Sequence, residues 1–183
     1  RETRIGGDAL YGSPLLLRPG LSTYAVAVGR RQTGGTGPAP SYGETVLLAQ
    51  GSVGIQPWMT AGAAAQFARG QQTLAGEFTA TGGFGEWNGQ LAGSRTVEGS
   101  GLALALSYRL STPQWSLQAA TTRRQRRFAE TGTPDLGQER LLTQTEFAAG
   151  RRLGGVDWAI RLSQRQTTTA VRSQRWSLSA SRR

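Results

Sequence analysis

Along most of this chain, apolar residues recur at every second position. Leu102, Leu104, Leu106, Tyr108 and Leu110 alternate with Ala103, Ala105, Ser107 and Arg109. Trp158, Ile160 and Leu162 oppose Asp157, Ala159, Arg161 and Ser163, and Trp176, Leu178 and Ala180 oppose Arg175, Ser177 and Ser179. Tyr24, Val26 and Val28 oppose Ala25, Ala27 and Gly29, and Trp115, Leu117 and Ala119 oppose Ser116, Gln118 and Ala120. Leu74, Phe78 and Ala80 against Glu77, Thr79 and Thr81, and Trp87 and Leu91 against Asn88 and Gln90, repeat the pattern more weakly. A period of two is the mark of a strand with one wet and one apolar face. It predicts ten strands, near 21–31, 43–55, 58–69, 73–83, 86–95, 101–110, 114–127, 139–152, 155–167 and 173–183. The alanine-rich stretch Met59–Ala68 also suits a helix. Soluble strands average about 5–6 residues, whereas a strand that spans a bilayer at a tilt of about 45° needs roughly 9–11. The predicted runs belong to the longer class.

The connections carry a second signal. Read in order, 31–42 is long, Gln56–Pro57 tight, Gly70–Gln72 intermediate, Phe84–Gly85 tight, Thr96–Ser100 longer, Ser111–Pro113 tight, Phe128–Gln138 long, Leu153–Gly154 tight and Thr168–Arg172 longer. Alternation of this kind is the habit of outer-membrane barrels, with short periplasmic turns and longer extracellular loops. Trp58, Trp87, Trp115 and Trp158 each open a strand after a short turn, a placement that suits an aromatic belt at one membrane interface; Trp176 follows a longer loop. The expected fold is therefore all-β, an antiparallel up-and-down transmembrane β-barrel. The final residues still alternate, so the chain reads as a piece of a longer one, with about ten strands of a larger barrel. Residues 1–20 are expected to lead into the barrel, and 21–183 to form part of it.

Composition changes the picture in one direction. The 183 residues include no His and no Cys, and all 21 basic residues are Arg, against 11 Asp and Glu, for a formal charge of +10. Thiolate or imidazole metal sites, and mechanisms that need His, Cys or Lys, are excluded. A paired-carboxylate hydrolase built from Glu77, Glu86, Glu146 or Asp157 is formally open, but these read more simply as channel or loop charges paired with Arg. No catalytic, cofactor or metal residue is assigned.

At this point the segment running from Tyr11 to Arg30 takes on a family look. Leu16 and Leu17, then Gly20, Tyr24 and Gly29, with Tyr11 ahead of them, resemble the strand with which fimbrial outer-membrane ushers re-enter their barrel after the plug domain. Regions 43–60, 82–94, 101–110 and 115–127 are similar to ushers in pattern more than in letters. The resemblance implies a central slice of an usher barrel, in the outer membrane of a Gram-negative bacterium. It implies a non-enzymatic channel that secretes and assembles pilus subunits delivered as complexes with a periplasmic chaperone. A general porin-like barrel is the alternative.

On that reading the polar strand positions Glu77, Gln90, Arg109, Gln118, Arg124, Glu146, Asp157, Arg161 and Arg175 are the candidate lumen lining. Arg30, Arg31, Arg69, Arg95, Arg123, Arg126, Arg127, Arg165 and Arg172 lie at strand ends beside the longer loops. They are candidates for a rim that faces lipopolysaccharide, because a guanidinium fork grips phosphate bidentately. The partners expected are outer-membrane lipid, lipopolysaccharide and the subunit complexes. Nucleic acid is a weaker rival despite the charge, since no recognition helix or stacking sheet is legible and the aromatics fall on the apolar face.

Overall fold

The computed structural model describes residues 16–32, 42–129, 140–169 and 172–182. They form β1 (Ser22–Gln32), β2 (Tyr42–Gln56), β3 (Met59–Ala68), β4 (Gln71–Gly82), β5 (Gly85–Thr96), β6 (Gly99–Ser111), β7 (Trp115–Arg124), β8 (Leu141–Leu153), β9 (Val156–Thr167) and β10 (Arg172–Arg182). Among the described residues there is no helix. The Ala-rich stretch is strand β3: β2 and β4 bond both edges of its backbone, and that pairing outweighs alanine's modest helical preference. Each strand pairs antiparallel with the next in chain order, giving a single ten-stranded meander. β1 and β10 do not pair with each other, so among the described residues the sheet is not closed.

The register sorts every strand into two faces. Tyr24, Val26 and Val28 stand with Gly51, Ala49 and Leu47. Further across the sheet that face carries Ala65, Leu74, Gly93 and Leu102 in one row, and Trp87 with Tyr108 in another. It ends with Phe147, Leu162 and Trp176. The opposite face holds Gln66 beside Thr73, Glu77 beside Gln90, and Arg109 beside Gln118. Burial runs opposite to that of a soluble sheet. Leu74 and Leu91 are 60% and 58% exposed, whereas Thr60 and Gln66 on the polar side are 0% and 2% exposed. Of the buried hydrophobic residues, Ala75, Ala92, Ala103 and Phe128 form a small cluster on the polar side, and Val46 is buried apart from it.

One end of the meander is made of short turns, at Pro57–Trp58, Gly83–Phe84, Thr112–Gln114 and Gly154–Gly155. In the last of these both glycines have positive φ, 57° and 77°, as a twist-matched two-residue hairpin turn requires. The far end departs from the expected alternation. Arg69–Gly70 and Val97–Glu98 are also two-residue links, as short as those opposite. Pairing runs outward to Gln71, Thr96 and Gly99 and absorbs residues read as loop. Positive φ at Gly70 (73°) then closes the reversal at Arg69–Gly70. Residues 33–41 and 130–139, which hold most of the two long connections, lie outside the described residues.

Of the leading segment, residues 1–15 also lie outside the description. Leu16–Gly20 lies across β2 and β3 on their polar side. The Leu17 N–H donates to Thr60 Oγ1 at 2.8 Å, and the Gly20 N–H to the Gly54 carbonyl at 2.9 Å. A Cβ on Gly54 would stand 2.2 Å from the Arg18 carbonyl oxygen, so the crossing depends on that glycine.

The aromatic row is oblique to the strands. Following the register, Tyr24 lies level with Gly51, Ala63, Gly76 and Leu91, four residues from Trp87 on β5. Trp87 lies level with Tyr108, Ala119, Phe147 and Leu162, again four residues from Trp158 on β9. Four residues at about 3.3 Å, against four strand spacings at about 4.8 Å, incline the line through Tyr24, Trp87 and Trp158 by roughly 35°, while Trp115, level with Trp158, stands off it. That is the tilt at which strands run in a closed barrel.

Gly54→Ala is expected to destabilise the sheet by about 1–3 kcal/mol through overpacking, with loss of protection at Leu17 and Gly20. Gly76→Ala, where a Cβ would meet nothing within 4 Å, is expected to be neutral or to stabilise by up to about 1 kcal/mol. Thermal melting of both variants with amide hydrogen exchange checks the contrast.

Candidate functional site: the polar face and its inward segment

The nine candidate lumen residues all fall on the polar face. Glu77 faces Gln90, Arg109 faces Gln118 and Glu86, and Arg124 faces Ala103. Glu146 faces Ser163, Asp157 faces Arg152 and Ser181, and Arg161 and Arg175 face Ser177 and Ser163. Their chemistry is hydration and hydrogen bonding. Ser52 Oγ donates to Glu77 Oε1 at 3.3 Å, Gln144 Nε2 to Glu146 Oε1 at 2.7 Å, and Asn88 Nδ2 to Glu86 Oε1 at 2.9 Å. Asp157 takes an ion pair, its Oδ1 lying 2.7 Å from Arg152 Nε. Three of these carboxylates are therefore held by neutral donors in the bonds the structure gives them, where pairing with Arg was expected. For Glu77 the reason is register, since β4 places it beside Gly62 and Gln90 with no cation opposite, whereas Glu86 is bonded by Asn88 although Arg109 faces it from β6. Among the described residues no three His, Cys, Asp or Glu side chains are grouped to hold a metal ion.

Sequence reasoning missed the part of this face with the most structure. After β7 the chain turns inward. The Gln125 N–H donates to the Leu102 carbonyl at 2.8 Å and the Phe128 N–H to the Gln125 carbonyl at 3.0 Å. The Ala129 N–H then donates to Ser94 Oγ at 2.8 Å, while Thr73 Oγ1 donates to the Ala129 carbonyl at 3.0 Å. Phe128, 4% exposed, packs on Ala75, Ala92 and Ala103. A Cβ on Gly101 would lie 2.2 Å from the Phe128 nitrogen, so only glycine lets the segment approach. The buried Arg140 closes the far side, donating from Nη1 to the Arg126 carbonyl at 3.0 Å. The available signal was a set of small residues on the polar side of adjacent strands, with a lone Phe beyond an arginine run.

The aromatic candidates divide. Trp87, Trp115 and Trp158 stand on the apolar face near the short turns. Trp58 lies in the Pro57–Trp58 turn, its carbonyl accepting from the Thr81 N–H at 2.9 Å, because β3 begins one residue later than expected. Trp87 and Tyr108 have ring centroids 4.4 Å apart, and Tyr108 donates to the Phe84 carbonyl at 2.6 Å. The Arg151 guanidinium sits 4.4 Å from the Trp115 ring centroid, a cation–π contact.

All nine rim candidates lie at the far end, but on three different surfaces. Arg30 and Arg31 end β1, while Arg69, Arg126 and Arg127 belong to connections. Arg95, Arg123 and Arg172 share the apolar face, whereas Arg165 is on the polar one. Arg172 reaches the Gln164 side-chain oxygen at 3.0 Å. Comparisons with protein-family models, with curated proteins and with solved structures return no match.

Phe128→Ala is expected to remove about 3–5 kcal/mol of local packing and to release the segment while the sheet persists. Trypsin cleavage after Arg126 and Arg127 would then accelerate at least tenfold, with the strand content by circular dichroism unchanged.

Proposed function

We propose that the chain is part of the wall of a transmembrane β-barrel in the outer membrane of a Gram-negative bacterium, and that the barrel is the translocation channel of a pilus usher. The observation that carries the membrane reading is the inverted sheet. Leucine, valine and tryptophan side chains stand exposed on one face from β1 to β10, and an extended apolar surface of this kind marks contact with a membrane or a partner. Polar side chains occupy the other. The aromatic row at the short-turn end and the inclination of about 35° fit the same reading. The usher reading rests on Leu16, Leu17, Gly20, Tyr24 and Gly29.

In that role the wall works by what it does not do. A subunit in transit exposes apolar surface, and an apolar lumen would hold it. Ser52, Gln90, Ser107 and Gln118 keep their water and let it pass. The work is passage rather than bond chemistry, with chaperone–subunit complexes as the cargo.

The inward segment favours a second reading, a diffusion pore, because a connection folded across the polar face narrows the path available to a folded protein. Two measurements separate the possibilities. Folded into vesicles of brominated phosphatidylcholine, the chain should lose at least half its tryptophan fluorescence; unquenched emission sinks the membrane reading. Cells deleted for this chain should then lack surface fibres and retain chaperone-bound subunits. Intact fibres with slowed uptake of small solutes would make it a pore.

A further inference from the structure

Two arginines on the apolar face have no counter-ion there. Arg95 is flanked across the strands by Gln72 and Ser100, and Arg123 by Leu104 and Thr143. Glu77, Glu86, Glu146 and Asp157, the carboxylates of β4, β5, β8 and β9, all stand on the opposite face. Both arginines are exposed. Among the described residues neither guanidinium takes a hydrogen bond or ion pair.

Their placement is regular. Trp87 and Arg95 are eight residues apart on β5, and Trp115 and Arg123 are eight residues apart on β7, all four on the apolar face. Arg95 faces Ser100 of β6 and Arg123 faces Leu104, a step of four residues. Trp87 faces Tyr108, and Leu117 facing Leu110 puts Trp115 the same four residues further on. The Trp–Arg spacing is thus the same on both strands, with the β7 pair about two residues nearer the short-turn end than an incline of about 35° would place it. Eight residues cover about 26 Å along a strand, or about 21 Å of height at the inclination above. The methylene stem of arginine carries its guanidinium beyond its own Cα, which matches an apolar band about 25 Å tall. A lipid-facing arginine is costly at mid-bilayer and nearly free at the interface.

We propose that Arg95 and Arg123 form a phosphate-binding pair on the lipid-facing side, and that the phosphates are those of lipopolysaccharide in the outer leaflet. This rests on the membrane reading above. The far end bears the arginine excess and the longer connections, the side that faces outward in such barrels, and a planar fork holds a phosphate by two hydrogen bonds at once. Tryptophans at one interface and phosphate-bound arginines at the other then fix the height of the wall.

The test uses the full chain folded in vesicles, with lipopolysaccharide as the titrant and brominated phosphatidylcholine as an independent report of insertion. Arg95→Gln/Arg123→Gln should insert normally, with tryptophan quenching unchanged, and bind lipopolysaccharide at least tenfold more weakly. Arg95→Lys/Arg123→Lys, which keeps charge without the fork, should lose about threefold. Arg69→Gln/Arg126→Gln removes two charges at the same end in connections, and should lose less than threefold. Normal insertion of Arg95→Gln/Arg123→Gln with unchanged affinity overturns the pair and leaves the membrane reading intact. Equal loss in the Arg69/Arg126 variant reduces the effect to general charge and overturns it too. Equal affinity for phosphatidylglycerol vesicles overturns lipopolysaccharide as the source. Absence of quenching in every protein removes the membrane reading and the site together.

Discussion

The arrangement depends on backbone pairing. Every interior strand of the meander has hydrogen-bonded neighbours on both sides, so its N–H and C=O groups point along the sheet and neither face has to solvate them. That frees the faces to differ. One takes Leu74, Leu91 and Leu102 at half exposure or more, which an irregular backbone could not present to an apolar medium without orphaned polar groups. The outer edges of β1 and β10 are where this solution is incomplete within the described residues, and their side chains show it: Tyr24 and Trp176 are the most exposed ring-bearing residues within the strands, at 88% and 75%.

Pairing also explains why small residues are so common. On the apolar face Gly89 lies under the Phe78 ring, where a Cβ would come within 2.2 Å of it. On the polar face Ala75, Ala92 and Ala103 make the shallow floor on which Phe128 rests, and Gly54 and Gly101 admit backbone where any side chain would exclude it. The same absence of bulk that lowers the chain's hydrophobic content thus serves two ends. It lets rings lie flat against one side of the sheet and lets chain segments cross close on the other. A sheet with large residues on both faces could do neither.

How much of this was legible in the sequence follows from the range of each determinant. Strand positions and faces depend on alternation within a few residues, so β6 and β9 could be read from Leu102–Leu110 and Trp158–Leu162 directly. The nine polar-face residues followed from the same parity. Turn lengths at the far end could not be read, because whether Gln71 and Thr96 belong to a strand is decided by their partners and by the φ of Gly70. The bed for Phe128 is built from β4, β5 and β6, so no local window contains it. The misplacement of Trp58 is smaller in kind: β3 begins one residue beyond the point where the alternation restarts.

The incline of the aromatic row is a further quantity that no single strand contains. It is the sum of four registers, and Tyr24, Trp87 and Trp158 give the same four-residue step on each side of β5. Trp115 stands off that line: it is level with Trp158 through Arg151, so the whole step from Trp87 is taken between β5 and β7. The equal eight-residue intervals from Trp87 to Arg95 and from Trp115 to Arg123 carry the offset between the two tryptophans unchanged to the far end. Aromatic rings toward one end of the apolar face and arginines toward the other, with leucine between, are what the proposed membrane role asks of these strands.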